Sequence, residues 1–132
     1  DENVPLGDTW VLSPGPAMSF AQLTTAGTAP ARYGHNAVYD PVRDRMLVLF
    51  GYDGGFRADV WQLTLGGTPT WSQVATIGTP PSARDFAAAV YDPLADRVVV
   101  VGGNALPGPV ARADAWSLSL AGTPTWTPSS SP

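Results

Sequence analysis

Cysteine and lysine are both absent from this 132-residue sequence, and histidine occurs once. Without cysteine there is no disulfide framework, thiolate zinc site, cysteine nucleophile or thiol redox centre. A lone histidine cannot build a histidine-based metal site. With no lysine, seven arginines stand against eleven acidic residues, for a formal charge of −4. There is no basic patch and no arginine run, which argues against a nucleic-acid partner. Long apolar runs are missing as well. The longest stretch free of Gly and Pro, residues 110–121, has 12 residues, short of the roughly 20 that a membrane-spanning helix needs. The same shortage of uninterrupted chain disfavours a helix bundle.

Turn formers and core formers are present in quantity. The sequence holds 14 Gly and 14 Pro, and 44% of its residues are apolar. It can therefore bury a core, and its length suits one domain. Many short strands joined by turns, an all-β fold, is the reading these numbers leave.

An internal repeat sets the architecture. Ala31-Arg32-Tyr33-Gly34-His35-Asn36-Ala37-Val38-Tyr39-Asp40-Pro41 returns 52 residues later as Ala83-Arg84-Asp85-Phe86-Ala87-Ala88-Ala89-Val90-Tyr91-Asp92-Pro93. Asp44-Arg45 returns as Asp96-Arg97 at the same shift. Asp59-Val60-Trp61-Gln62-Leu63 recurs 55 residues on as Asp114-Ala115-Trp116-Ser117-Leu118, so three residues have been inserted between. Asp8-Thr9-Trp10-Val11-Leu12 is a third copy. The three tryptophans are each followed ten residues later by an aromatic: Phe20, Trp71 and Trp126. Self-similarity at this period marks a repeat architecture.

Each full unit reads as four strands, over residues 34–40, 45–51, 58–65 and 70–76 in the first. The second is a continuous apolar run suited to burial on both faces, and the third alternates strictly. Asp40-Pro41 and Asp92-Pro93 start turns, since Asp can bond backbone N–H groups ahead of it and Pro presets φ.

These residues resemble the kelch repeat family. Arg32 with Gly34-His35, the Asp-Pro-x-x-Asp-Arg turns, Gly102-Gly103 and the paired tryptophans carry the likeness, which covers essentially the whole chain. It departs at Phe50-Gly51, where a glycine pair belongs, and at Phe86-Ala87, where Gly34-His35 would be repeated. The resemblance implies an all-β partial β-propeller of four-stranded antiparallel kelch-type blades. Residues 1–24 would be a half-blade of two outer strands, 25–78 and 79–128 full blades, and 129–132 a tail. Propellers close with about four to eight blades, so two and a half are expected not to close alone. The implied partners are missing propeller blades or further copies of the chain. A start at Asp1 without Met reads as processed, cut or engineered. An extracellular or cell-surface setting is favoured by the missing lysines and the polar turns.

The repeated residues Trp10, Arg32, Asp44, Trp61, Trp71, Arg84, Asp96, Trp116 and Trp126 are read as structural. Arg32 and Arg84 are expected to tie adjacent blades, and Asp59 and Asp114 to accept backbone N–H groups at a strand entry. His35 is either a channel-lining acid or base, or a hydrogen-bonded inner-strand residue. Residues that differ between repeats are the better binding candidates, because loops on a rigid scaffold carry recognition. They are Tyr52, Asp53, Phe56 and Arg57 in one loop, and Asn104 and Arg112 bounding its longer counterpart.

No catalytic residue, metal site or cofactor is assigned, although Asp53 and Asp59 offer two oxygen donors of the kind Ca²⁺ takes. Copper-dependent kelch-type enzymes need Cys and His ligands this chain lacks. Sialidase-type propellers carry an acid in the turn before Trp, where this chain has Gly-Gly-Thr-Pro-Thr-Trp. The expected function is a non-catalytic module recognising a protein or glycan through its inter-strand loops. A self-assembling structural repeat is one alternative. The other is the scaffold part of a propeller enzyme whose catalytic residues lie outside this chain.

Overall fold

The computed structural model describes residues 4–105 and 110–129. The expected tail and the middle of the longer loop, Leu106-Pro107-Gly108-Pro109, thus fall largely outside the described residues. Every regular element is a strand, and there is no helix among the described residues. β1 (Trp10–Ser13) and β2 (Ser19–Gln22) form an antiparallel hairpin. β3 (Asn36–Asp40), β4 (Arg45–Leu49), β5 (Val60–Thr64) and β6 (Thr70–Gln73) make a four-stranded antiparallel sheet in chain order. Next come β7 (Ile77–Gly78), β8 (Arg84–Asp85), β9 (Ala88–Asp92) and β10 (Arg97–Val101). They are followed by β11 (Asn104–Ala105), β12 (Val110–Ala111), β13 (Ala115–Ser119) and β14 (Thr125–Pro128). The second large sheet runs β7-β14-β13-β10-β9, and β12-β11-β8 form a small third one. Among the described residues none of these sheets closes on itself.

The repeat is preserved in register as well as in sequence. Leu12 pairs with Phe20, Leu63 with Trp71 and Leu118 with Trp126. The strands are shorter than the sequence predicts. Phe50 (φ 62°) and Gly51 (φ 101°) leave the extended region straight after β4, and Gly34 (φ 63°) bends the chain just before β3. The four-residue turns after β3 and β9 are built alike. Asp40 Oδ1 accepts the N–H groups of Val42 and Arg43, and Asp92 Oδ1 those of Leu94 and Ala95. Their second carboxylate oxygens accept Arg45 Nε and Arg97 Nε at 2.8 and 2.9 Å.

The two large sheets pack face to face. From the first come Val38, Leu47, Leu49 and Val60, with Phe50 beside them; from the second come Val98, Val100, Leu118 and Trp126. Removing this apolar surface from water is the main force holding the units together. Phe50 sits where the second unit has Gly102 and adopts the same left-handed φ. Its ring packs 5.8 Å from that of Trp126.

A polar tie joins the units at the turns. Arg43 donates to Asp96 at 3.0 and 2.7 Å and to the Leu120 carbonyl at 2.7 Å.

The segment leading into each unit lies along that unit's outer strand. Ala26 bridges Thr70 in parallel, as β7 pairs with β14. Gly27 and Gly78 have positive φ, and a Cβ on either would collide with the carbonyl of Trp71 or Trp126.

Candidate functional site

At the end of the sheets where the longer loops gather, two identical clamps fix the loop bases. Arg32 reaches Asp59 through both terminal nitrogens, at 2.6 and 3.0 Å, and the Phe50 carbonyl at 2.8 Å. Arg84 does the same with Asp114, at 2.7 and 2.9 Å, and with the Gly102 carbonyl at 2.7 Å. The indoles of Trp61 and Trp116 each donate to the same carboxylates at 2.8 Å. Both arginine side chains therefore close a loop within their own unit, and Arg84 also ties the two units as expected: its guanidinium lies 6.0 Å from the Phe50 ring centroid and its backbone bonds Gly51 and Arg57. Asp59 and Asp114 accept guanidinium and indole donors in addition to the backbone donors that were expected. Arg84 and Trp116 hold the Asp114 carboxyl down at about 2. Burial pushes Asp59 upward, but the hydrogen bonds from Arg32 and Trp61 outweigh it and the net shift is downward. In the first copy Trp10 donates to Asp8.

On this frame the structure brings part of the expected loop set together. Tyr52 bridges both Tyr33 and Phe56, with ring centroids 5.4 Å apart in each case. Aromatic pairs at such distances, tilted or edge to face, are favourable geometries. Arg57 Nε donates to Asp53 at 2.6 Å, and its backbone bridges Arg84 of the next unit. Asn104 pairs with Asp85 and with Ala111, and the Arg112 amide donates to the Gly103 carbonyl. Loops of neighbouring units are thus joined by backbone hydrogen bonds into one rim.

Three residues on this rim escape sequence reasoning. Tyr33, exposed, extends the aromatic cluster. Phe86 is 65% exposed, yet its backbone sits at φ 49°, where the first unit places Gly34. Its amide donates to the Gly34 carbonyl and its ring lies over that glycine. Left-handed φ costs an ordinary side chain roughly 1–2 kcal/mol, and here the side chain gains little burial in return. Asp85, beside it, is buried, and its Oδ1 finds no donor among the described residues; the same holds for Asn36 Oδ1. The visible signal was the departure from the repeat at Phe86.

The remaining candidates point elsewhere. Asp53 and Asp59 are each occupied by a different arginine. Among the described residues no cluster of three His, Asp or Glu side chains could hold a metal ion. His35 lies on the other side of the first large sheet, in a cleft facing β1. Partial burial pushes its pKa down. Asp44 and Asp96 accept the hydroxyls of Tyr39 and Tyr91 at 2.9 and 3.0 Å, which shows the turns to be built in the same way. What the rim offers chemically is aromatic surface and one partly exposed ion pair.

No family model matches the chain. It is 35% identical over 81 residues to the dynein regulatory complex subunit 7 of Chlamydomonas reinhardtii. That match takes in 60% of this chain and 7% of the length of the relative. No helix among the described residues is long and apolar enough to cross a membrane.

Proposed function

We propose that this chain is a non-catalytic recognition module of the kelch-type β-propeller kind, its large sheets serving as blades. The loop rim takes a protein or glycan ligand. The repeated strand register and the face-to-face packing of the sheets support the blade reading. The binding reading rests on Phe86, an exposed aromatic kept in a strained backbone conformation beside the Tyr33–Tyr52–Phe56 cluster. Strain of this kind persists where the surroundings enforce it and concentrates at functional sites. The Chlamydomonas reinhardtii relative is named as a subunit of a complex, which favours a protein ligand.

The immobilised protein should retain a partner from an extract, or light up a glycan array. Tyr52→Ala combined with Arg57→Ala should abolish that capture while the circular dichroism spectrum stays unchanged. Capture that survives in a folded double variant removes the rim as the binding surface.

A second reading, a self-assembling structural repeat, draws on one observation. Val90 and Val101 are 61% and 48% exposed, whereas their equivalents in the first unit, Val38 and Leu49, are buried.

A further inference from the structure

In both full units the third strand is flanked on both sides: β5 by β4 and β6, β13 by β10 and β14. β1 occupies the same position in the first, partial unit, in the same register, but among the described residues it pairs only with β2. Its other edge has no strand partner among them, a ready template for another strand. Behind that edge lies an apolar cleft of about 520 Å³. Thr9, Val11 and Leu23 form one wall, and Ala37, Met46 and Val48 belong to the facing sheet. The corresponding space between the two full units is filled by Leu47 and Leu49 of β4, and there Val98 and Val100 are fully buried.

The charges repeat the same asymmetry. Asp96 accepts the Tyr91 hydroxyl and both terminal nitrogens of Arg43 from the preceding unit. Arg43 also takes the carbonyl of Leu120, whose amide bonds the Asp96 carbonyl. Asp44 is the equivalent of Asp96: it accepts the Tyr39 hydroxyl, and its carbonyl accepts the Leu65 amide. Asp44 is exposed, and no arginine reaches it among the described residues.

We propose that the free edge of β1 and the cleft behind it accept a β-hairpin from a further unit of this same repeat, whose turn arginine binds Asp44. The incoming strand runs antiparallel to β1. Superposing β1 on β5 puts a valine-like residue opposite Trp10, as Val48 stands opposite Trp61. The residues opposite Thr9 and Val11, equivalent to Leu49 and Leu47, enter the cleft over Met46. The arginine meets Asp44 and the Leu65 carbonyl, as Arg43 meets Asp96 and Leu120. This inference rests on the internal repeat and stands or falls independently of any ligand at the loop rim.

The probe is a synthetic peptide of residues 36–49 of this sequence, titrated calorimetrically into the full chain. It should bind one to one and slow amide hydrogen exchange at Trp10–Ser13. Asp44→Asn in the protein, or Arg43→Ala in the peptide, should each weaken binding about tenfold, the scale of one charge-assisted pair. The two changes together should weaken it no further, since they remove one interaction. If Asp44→Asn misfolds, the altered peptide against the unaltered chain still decides. Absence of binding, equal binding of a reversed-order peptide, or independent losses would overturn the proposal.

Discussion

Arg84 and Asp114 are joined by two parallel hydrogen bonds across 30 residues of chain. The arginine side chain is completely buried and the carboxylate 38% exposed, so the pair plugs the base of the longer loop. Its fork also carries the Gly102 carbonyl, which a single ammonium could not reach together with both carboxylate oxygens.

Arg84→Ala should therefore lower stability by about 2 kcal/mol, since it removes the packing of a buried side chain and leaves the Gly102 carbonyl without that donor. Arg84→Lys should recover less than half of that loss. Urea denaturation midpoints measure both. A lysine variant as stable as the wild type would mean that charge alone, not the planar fork, holds the loop.

Acid should unfold the protein through the clamps and the turn carboxylates together. Asp114 titrates at about 2 in the folded state, and Asp59, Asp92 and Asp96 are also lowered. Unfolded carboxylates titrate near 3.9. A depressed folded pKa gives stability that is fully present above the unfolded value and lost as pH falls through the folded one. Melting temperature should thus decline from about pH 4 down to about pH 2, and Asp114→Asn should flatten that decline. A slope unchanged in the variant would assign the acid sensitivity to other groups.

Phe50 and Phe86 share a left-handed backbone and should answer the same substitution in opposite ways. Phe86→Gly relieves strain at an exposed site and should stabilise the protein by about 1 kcal/mol. Phe50→Gly relieves the same strain but empties the space against Trp126. It should cost about 2–3 kcal/mol net, because loss of a buried Phe costs about 3–5. Thermal denaturation of the two variants side by side tests the contrast. If the proposed function holds, the stabilised Phe86→Gly protein should also bind its ligand less well.

Much of the fold was legible because the chain says the same thing twice. Trp61 and Trp116 keep their distance from Asp59 and Asp114, so the existence and order of the strands followed from spacing. The partner of each arginine did not. Arg32 and Arg84 repeat, as do Asp59 and Asp114, and repetition alone cannot say which copy of one meets which copy of the other. The tie between units was missed for the opposite reason. Arg43 has Ala95 at its equivalent position, and comparison of repeats passes over what is not repeated. The rim was half legible. Tyr52 and Phe56 stood out as non-repeated loop aromatics, but Asp85 and Phe86 looked like parts of an inner strand and Tyr33 like the residue leading into one. Only the positive φ of Gly34 and Phe86 takes that stretch out of the sheet and onto the rim.

The strand-like segment over Ile77–Gly78 bears on how the molecule could go wrong. It lies along the outside of β14 and is followed by Thr79-Pro80-Pro81. Proline has no N–H to offer a newcomer, so this margin is a poor template for further pairing. The bridge at Ala26 covers the outer margin of the first sheet in the same way, with Pro30 close behind. Copies that crowd together would accordingly be turned away from these two margins, and misassembly should begin instead at β1 and at the bare face of Val90 and Val101.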